Sequence, residues 1–464
     1  MSVPHSRSVS IAWRHELAAT LKLAWPLVLT QLATIALNTV DVIMIGWLGP
    51  DELAAATLAT SLIFPLTFFG IGLLAATAAM FSHEIGAIRL RGVRRTLRQG
   101  FWVAITLCIP CLVFLWNGER VMLLTGQDPK LAAMAIGYVD WAKWGLLPLM
   151  CFTVLRNLVT AHSRPRSSLI ILLLAIGVNA VADYALIFGN FGAPALGLEG
   201  AAVATVIVQT FMLLAQTLFV VTDRQFRRYN LFGRFWRPDW ARYVEIMKIG
   251  IPIGLTVLAE ASLFAASAFM VGLFGPDQLA AHAVAIQCTS IAFMIPLGVS
   301  QAATIRVGLA MGRARLPDAL LAGRISTFVG VGIATLTALA FWFATAPIVG
   351  FYLRLDDPEN AVAIAFAIDF IRVAAVFQIV DAGQAVAAGN LRGLKDTTIP
   401  AILAFLGYWV LGFSAGAYLA FSYGLQGAGV WMGLAVGLTA ACFALILRFE
   451  LLMHRAIRQN GATA

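Results

Sequence analysis

Twelve long apolar runs decide what this chain can fold into. They lie near 17–48, 53–81, 98–117, 131–160, 167–190, 197–222, 246–274, 279–305, 320–349, 361–389, 397–422 and 427–450. A bilayer core about 30 Å thick needs roughly 20 apolar residues per helix, and every run meets that length. The runs do not alternate in polarity, which excludes a transmembrane barrel. Hydrophobic residues make up 60% of the 464 residues and charged ones only 12%, whereas a soluble domain carries about 45–50% and about 25%. A soluble enzyme, a disordered chain and a disulfide scaffold are therefore excluded. The expected fold is all-α and polytopic, with twelve transmembrane helices. Pro26, Pro65, Pro296 and Pro400 are the expected kink sites. Residues 1–16 are polar and the first apolar run is too long for a signal h-region, so no cleavable leader is expected.

The net charge of +9 is not spread evenly. With the N-terminus assigned to the cytoplasm, all but six of the Lys and Arg residues fall on the cytoplasmic side. One loop carries Arg89, Arg91, Arg94, Arg95 and Arg98; another carries Arg224, Arg227, Arg228, Arg234, Arg237, Arg242 and Lys248. Arg120, Lys130 and Arg354 fall outside, and Lys143, Arg156 and Arg372 lie within spans. This is the positive-inside pattern, and it supports an even number of spans with both termini cytoplasmic. The basic excess faces membrane lipids with anionic heads, and no nucleic-acid partner is implied.

The chain also repeats itself. Residues 22–98 match the chain 226 positions later: Pro26/Pro252, Gly49-Pro50-Asp51/Gly275-Pro276-Asp277, Gly72/Gly298, Arg89/Arg315 and Arg98/Arg324. Asp140 and Lys143 correspond to Asp369 and Arg372, and Gly197 to Gly424. The unit is six helices, so the halves form two pseudo-symmetric six-helix lobes related by an axis along the membrane normal. The expected boundaries are 1–222 for the N-terminal lobe, 223–245 for a basic cytoplasmic linker and 246–464 for the C-terminal lobe. Gly-Pro-Asp reads as a tight outer turn. The pairs Asp140/Lys143 and Asp369/Arg372, three residues apart, read as structural ion pairs.

Four acids stand deep in apolar spans: Asp41, Asp183, Glu260 and Asp381. A charge at the bilayer centre costs about 2.5–3.5 kcal/mol on insertion scales, so each is a functional candidate. The repeat does not copy them, since Asp41 aligns with Ser267 and Glu260 with Thr34. Asn179 and Asp183 share one helical face. Two carboxylates brought together in a low-dielectric site cannot both ionise cheaply, so such a pair holds a proton. With Asn179 and Thr205 the same oxygens form a set for a small cation. Cys108-Ile-Pro-Cys111 lies in the third span with no redox fold around it and reads as core. His83, Glu84 and His282 read as interfacial or core groups. No GxxxxGK[ST] phosphate loop, nucleophile set or metal spacing is present, so no enzyme, no ATP site and no cofactor are expected, and transport draws on an ion gradient.

Three blocks carry a family resemblance: residues 26–55 (PLVLTQLATIALNTVDVIMIGWLGPDELAA), 260–312 (beginning EASLFAASAFMVGLFGPDQLAAHAV) and 377–400 (FQIVDAGQAVAAGNLRGLKDTTIP). They resemble the multidrug and toxic compound extrusion (MATE) family, within it the NorM-like bacterial branch. The resemblance runs over nearly the whole chain. It implies two six-helix lobes and export of cationic, lipophilic compounds in exchange for H+ or Na+ across a bacterial inner membrane, with no obligate protein partner. By motif, Asp41, Asn179, Asp183 and Thr205 resemble the ion-coupling cluster of the N-terminal lobe. Glu260 and Asp381 resemble the ion-coupling or substrate acids of the C-terminal lobe. Two places depart from the family pattern: the block Ala280-Ala281-His282-Ala283 has Ala where the family often carries Gln, and His83-Glu84 precedes Ile85-Gly86-Ala87 where a Gln is common. The competing expectation is a flippase for lipid-linked precursors, which shares this design but favours a basic cavity.

Overall fold

In the computed structural model, which describes residues 5–227, 229, 233, 236–354 and 357–461, twelve helices are long and apolar enough to cross a membrane. They are α1 (Ile11–Gly46), α2 (Pro50–Gly86), α3 (Leu90–Trp116), α4 (Pro129–Ala161), α5 (Pro165–Phe188), α6 (Leu198–Thr222), α7 (Trp240–Gly272), α8 (Pro276–Gly312), α9 (Leu316–Phe343), α10 (Ala361–Gly393), α11 (Thr398–Ser422) and α12 (Gln426–Asn460). Each coincides with one apolar run of the sequence. Several run past it at the ends rich in Arg, because a helix satisfies its own backbone with or without apolar side chains. Arg228 and Arg234 of the linker lie outside the described residues.

Local chemistry explains the helix ends. The turns before α2 and α8 use Gly49 at φ +150° and Gly275 at φ +110°, a region that L side chains avoid. Pro50 and Pro276 open the helices, where a missing N–H costs nothing. Asp51, Glu52 and Asp277 then face the positive helix end. The repeat reaches the backbone itself. Ile88 and Ala314, 226 residues apart, both turn with positive φ (59° and 56°), followed by equivalent bonds from Arg89 N to Glu84 O (2.8 Å) and from Arg315 N to Ala310 O (3.1 Å).

Pro26, Pro65 and Pro296 lie inside helices. Pro400 does not kink one: it sits in the first turn of the helix Thr398–Phe405, where its lost donor is harmless. The sharper irregularity in α11 is a π-helical stretch, Leu406–Phe413, with a second at Tyr418–Ser422. Here Gly407, Gly412 and Gly416 meet Gly433 and Gly437 of α12 so closely that a Cβ on Gly433 or Gly437 would collide with the facing backbone. Small residues let membrane helices approach in this way.

Packing divides the chain into two compact units, Leu32–Gly254 and a second formed by Met1–Gln31 with Leu255–Ala464. The divisions fall inside α1 and inside α7, whereas the sequence boundaries were expected at 222 and 246. The reason lies in close contacts. A Cβ on Gly298 of α8 would lie 2.7 Å from the backbone N of Val28, and one on Gly254 of α7 2.7 Å from the Phe69 ring. Glu16 of α1 pairs with Arg306 of α8, and Arg242 of α7 with Glu84 of α2 at 2.5 Å. Glu16 and Arg242 occupy equivalent repeat positions, 226 apart, with the charge signs exchanged.

Other expectations sort plainly. Lys143 pairs with Asp140 at 2.6 Å while lying over the Trp116 ring. Asp369 and Arg372 are exposed and, among the described ion pairs, do not form the equivalent contact. Cys108 and Cys111 are free, buried thiols. His282 is buried against Trp431, and among the described residues neither ring nitrogen has a hydrogen-bond partner, so it is a core histidine.

Candidate ion site

α1 carries Asp41 and α5 carries Asn179 and Asp183, one turn apart. The Asn179 amide nitrogen donates to Asp41 Oδ1 and to Asp183 Oδ2, each at 2.5 Å. One amide thus spans two carboxyls on different helices, and the carboxyls also touch each other. Asn179 and Asp183 are fully buried, while Asp41 keeps some exposure. Among the described residues, Asn179 Oδ1 and Asp183 Oδ1 are buried acceptors with no donor. Two carboxyls, two spare acceptor oxygens and one partly open side chain suit a proton or a small cation with oxygen ligands.

Thr205 of α6 donates to the Ala201 carbonyl (3.0 Å) and enters the cluster indirectly. It lies within hydrogen-bonding reach of the buried Tyr138 phenol of α4, which in turn is close to Asp41 and Asp183. Sequence reasoning missed Tyr138, because a tyrosine in an apolar run looks like any core aromatic. The structure therefore brings the four N-terminal candidates together through a fifth residue.

In the other half, Glu260 of α7 and the buried Asp381 of α10 are electrostatic neighbours. Two further residues join them. Tyr408, fully buried in the π-helical stretch of α11, lies within electrostatic range of both acids, although among the described residues its hydroxyl has no hydrogen-bond partner. Trp409 next to it donates to the Ala259 carbonyl (3.2 Å), which fixes α11 against α7 at the level of Glu260. Arg392 acts on Glu260 from the far end of α10, donating to Ser300 Oγ and the Ala388 carbonyl, each at 3.3 Å. The sequence places Arg392 beyond a span ending at 389. The helix instead continues to Gly393, so Glu260 has a basic neighbour that periodicity did not reveal. Among the described residues no group of three or more His, Cys, Asp or Glu gathers as a metal site.

Twelve spanning helices in a six-helix repeat, with acids buried in each half, define a membrane carrier of the two-lobe type. The family model MatE matches residues 26–185 and 252–418. A probable multidrug resistance protein NorM of Brucella suis is 45% identical over 94% of this chain and 93% of its own. One from Mesorhizobium japonicum is 43% identical over 96% of both. Among solved structures, an outward-facing multidrug resistance MATE transporter of the MOP superfamily aligns with TM-score 0.86 over 96% of this chain and 97% of its own at 19% identity. The eukaryotic MATE transporter AtDTX14 aligns with TM-score 0.84 over 97% and 99% at 18%. The chain belongs to the MATE family, as a NorM-like multidrug efflux transporter and a multi-pass membrane protein; this family is not an enzyme class.

Proposed function

We propose that this transporter is an antiporter that exports cationic, lipophilic compounds in exchange for H+ or Na+. Its setting is a bacterial inner membrane, with both termini cytoplasmic, a reading the basic loops support. The observation that carries the reading is the Asn179 amide held between Asp41 and Asp183. Two adjacent carboxyls attract a cation, and loading one with a proton or Na+ removes that attraction. Ion and drug then bind in competition, and alternating access turns the competition into exchange. An inward proton gains about 2.3 kcal/mol per 100 mV; expelling a monovalent cation costs the same, so one-for-one exchange draws on the ion's concentration gradient alone, and each further coupled charge adds roughly fiftyfold to the drug gradient per 100 mV. Glu260 and Asp381 supply a second acidic pair for the same ion or for the substrate.

The test is ethidium efflux from proteoliposomes under an imposed pH gradient and, separately, a Na+ gradient, beside a neutral dye of similar size. Efflux of the cation driven by one of the two gradients, and its loss in Asp41→Asn at normal expression, is the expected result. Undiminished ion-driven efflux in Asp41→Asn defeats the proposal.

A further inference from the structure

We propose that the C-terminal half takes up protons through its own interior, along a path on which His282 of α8 carries the proton from the end where α8 and α12 begin toward Asp381 of α10. The inference rests on the reading of Asp381 as an ion-coupling acid and on the orientation proposed above, which makes that end the outer one. Among the described residues, five buried side chains here hold polar atoms without a hydrogen-bond partner. They are both ring nitrogens of His282, the Trp431 indole nitrogen, both amide atoms of Gln378, Asp381 Oδ1 and the Tyr408 hydroxyl. Each of the five is at most 4% exposed. A buried polar atom left unpaired is costly, so packing alone does not account for the set.

Contacts place these groups in order. The His282 ring packs on Trp431 with centroids 5.6 Å apart, and Trp431 meets Phe377 edge-on at 5.7 Å. Gln378 follows Phe377, and Asp381 comes three residues later on the same face of α10, about 4.5 Å further along the axis. Glu260 and Tyr408 lie within electrostatic range of Asp381. One turn before His282, the buried Gln278 donates to Gln426 Oε1 and accepts from the Gly427 amide at 2.9 Å. Polar groups thus descend from the helix ends to the acid pair: Gln278 with Gln426, His282 with Trp431, Gln378, then Asp381. The charged groups flanking this path are Asp277, exposed in the first turn of α8, and Asp381 with Glu260 at its far end. No charged side chain acts on the His282 ring from α8, α10 or α12. The repeat sets the feature apart. At the offset of 226 His282 corresponds to Ala56, and at the offset of 227 Trp431 corresponds to Ala204. Both alanines are buried, so the equivalent helices of the other half pack with no polar atom at either position.

Histidines within spans serve proton relays. A neutral imidazole accepts a proton at its bare nitrogen and releases one from the other, ending neutral with its tautomer exchanged. Hydronium at the entry becomes water, and the Asp381 carboxylate becomes the acid. Gln378 has a donor and an acceptor to spare and suits a water held between ring and carboxylate. The path does not suit Na+, since hard cations take oxygen ligands and the Trp431 indole and the neutral imidazole each present an N–H.

The experiment is ethidium efflux from proteoliposomes under a pH gradient and, separately, a Na+ gradient, for wild type, His282→Gln and His282→Ala, with ethidium affinity as the check on folding. His282→Gln keeps hydrogen bonds but cannot carry the proton. Its proton-driven efflux is expected to slow by at least about tenfold, a lower bound for a positioned proton carrier, at unchanged ethidium affinity. Imidazole added to His282→Ala restores part of the rate, which separates proton transfer from a packing defect, and restores nothing in Asp381→Asn. A wild-type proton-driven rate in His282→Gln, a loss in His282→Ala that imidazole does not relieve, or wild-type efflux driven by Na+ alone would each overturn the relay while leaving the antiporter reading in place. Wild-type efflux indifferent to both gradients defeats that reading, and the relay with it.

Discussion

Breaking the ion pair between Glu84 and Arg242 tests why the packing units divide inside α7. The side chains are only 9% and 12% exposed, and Gly92 leaves no room for more than a hydrogen beside the Glu84 carboxylate. Removing one partner of a buried pair costs about 3–5 kcal/mol, because the other charge is left uncompensated. Arg242 also holds Glu245 at 2.9 Å, and that residue is 35% exposed. Glu84→Ala leaves this second partner in place, so its cost falls near the lower end, about 3 kcal/mol. Arg242→Ala strands Glu84 alone and costs more. The control is Lys130 with Asp51, joined at 3.1 Å but 75% and 61% exposed; water screens such a pair, so its loss leaves stability almost unchanged. The assay is a double-mutant cycle read by reversible unfolding in mixed micelles titrated with dodecyl sulfate. A coupling of at least about 1.5 kcal/mol between positions 84 and 242 is expected. If Glu84→Ala costs no more than the exposed control, the pair does not fasten α7, and the reasoning fails.

Other outcomes follow from single contacts. Gly298→Ala drives a methyl to within 2.8 Å of three Val28 atoms and is expected to lower the yield of folded protein; Gly332→Ala, with nothing within 4 Å, is neutral or stabilising by up to about 1 kcal/mol, as thermal unfolding will show. The Arg95 guanidinium holds the Asp239 carboxyl below its ordinary pKa. Stability from this pair is therefore complete above the ordinary carboxylate range and is lost as pH falls through the lowered value. Asp239→Asn should flatten that acid-side loss in a pH series of melting curves. Tyr138→Phe removes one hydroxyl from beside Asp41, Asp183 and Thr205 and is expected to weaken ion affinity several-fold at unchanged expression, measured by ion-dependent protection from unfolding.

The spans were legible because the bilayer imposes a length and a polarity that few other structures share. Asp41, Asn179 and Asp183 were legible because a buried acid is costly and four residues make one turn. Tyr138 and Tyr408 were not, since an aromatic residue in an apolar run carries no sign of whether its hydroxyl meets core or site. Arg392 was hidden by equating the end of apolarity with the end of a helix. The π-helical stretch of α11 has no periodic signature in sequence and follows from backbone contact between glycines of two helices. The division of α1 near Gln31 and of α7 near Gly254 was equally unreadable. Both helices are apolar on either side of it, and the pairings of Glu16 with Arg306 and Arg242 with Glu84 join residues far apart in the chain.

The most direct test of the central claim measures ethidium binding to the purified protein in nanodiscs as pH and Na+ are varied, for wild type and Asp41→Asn. Competition at the carboxyl pair predicts that acid or Na+ weakens wild-type binding, and that the variant binds more weakly with its ion dependence largely gone. Wild-type affinity indifferent to both ions, or the same ion dependence in Asp41→Asn, would contradict it.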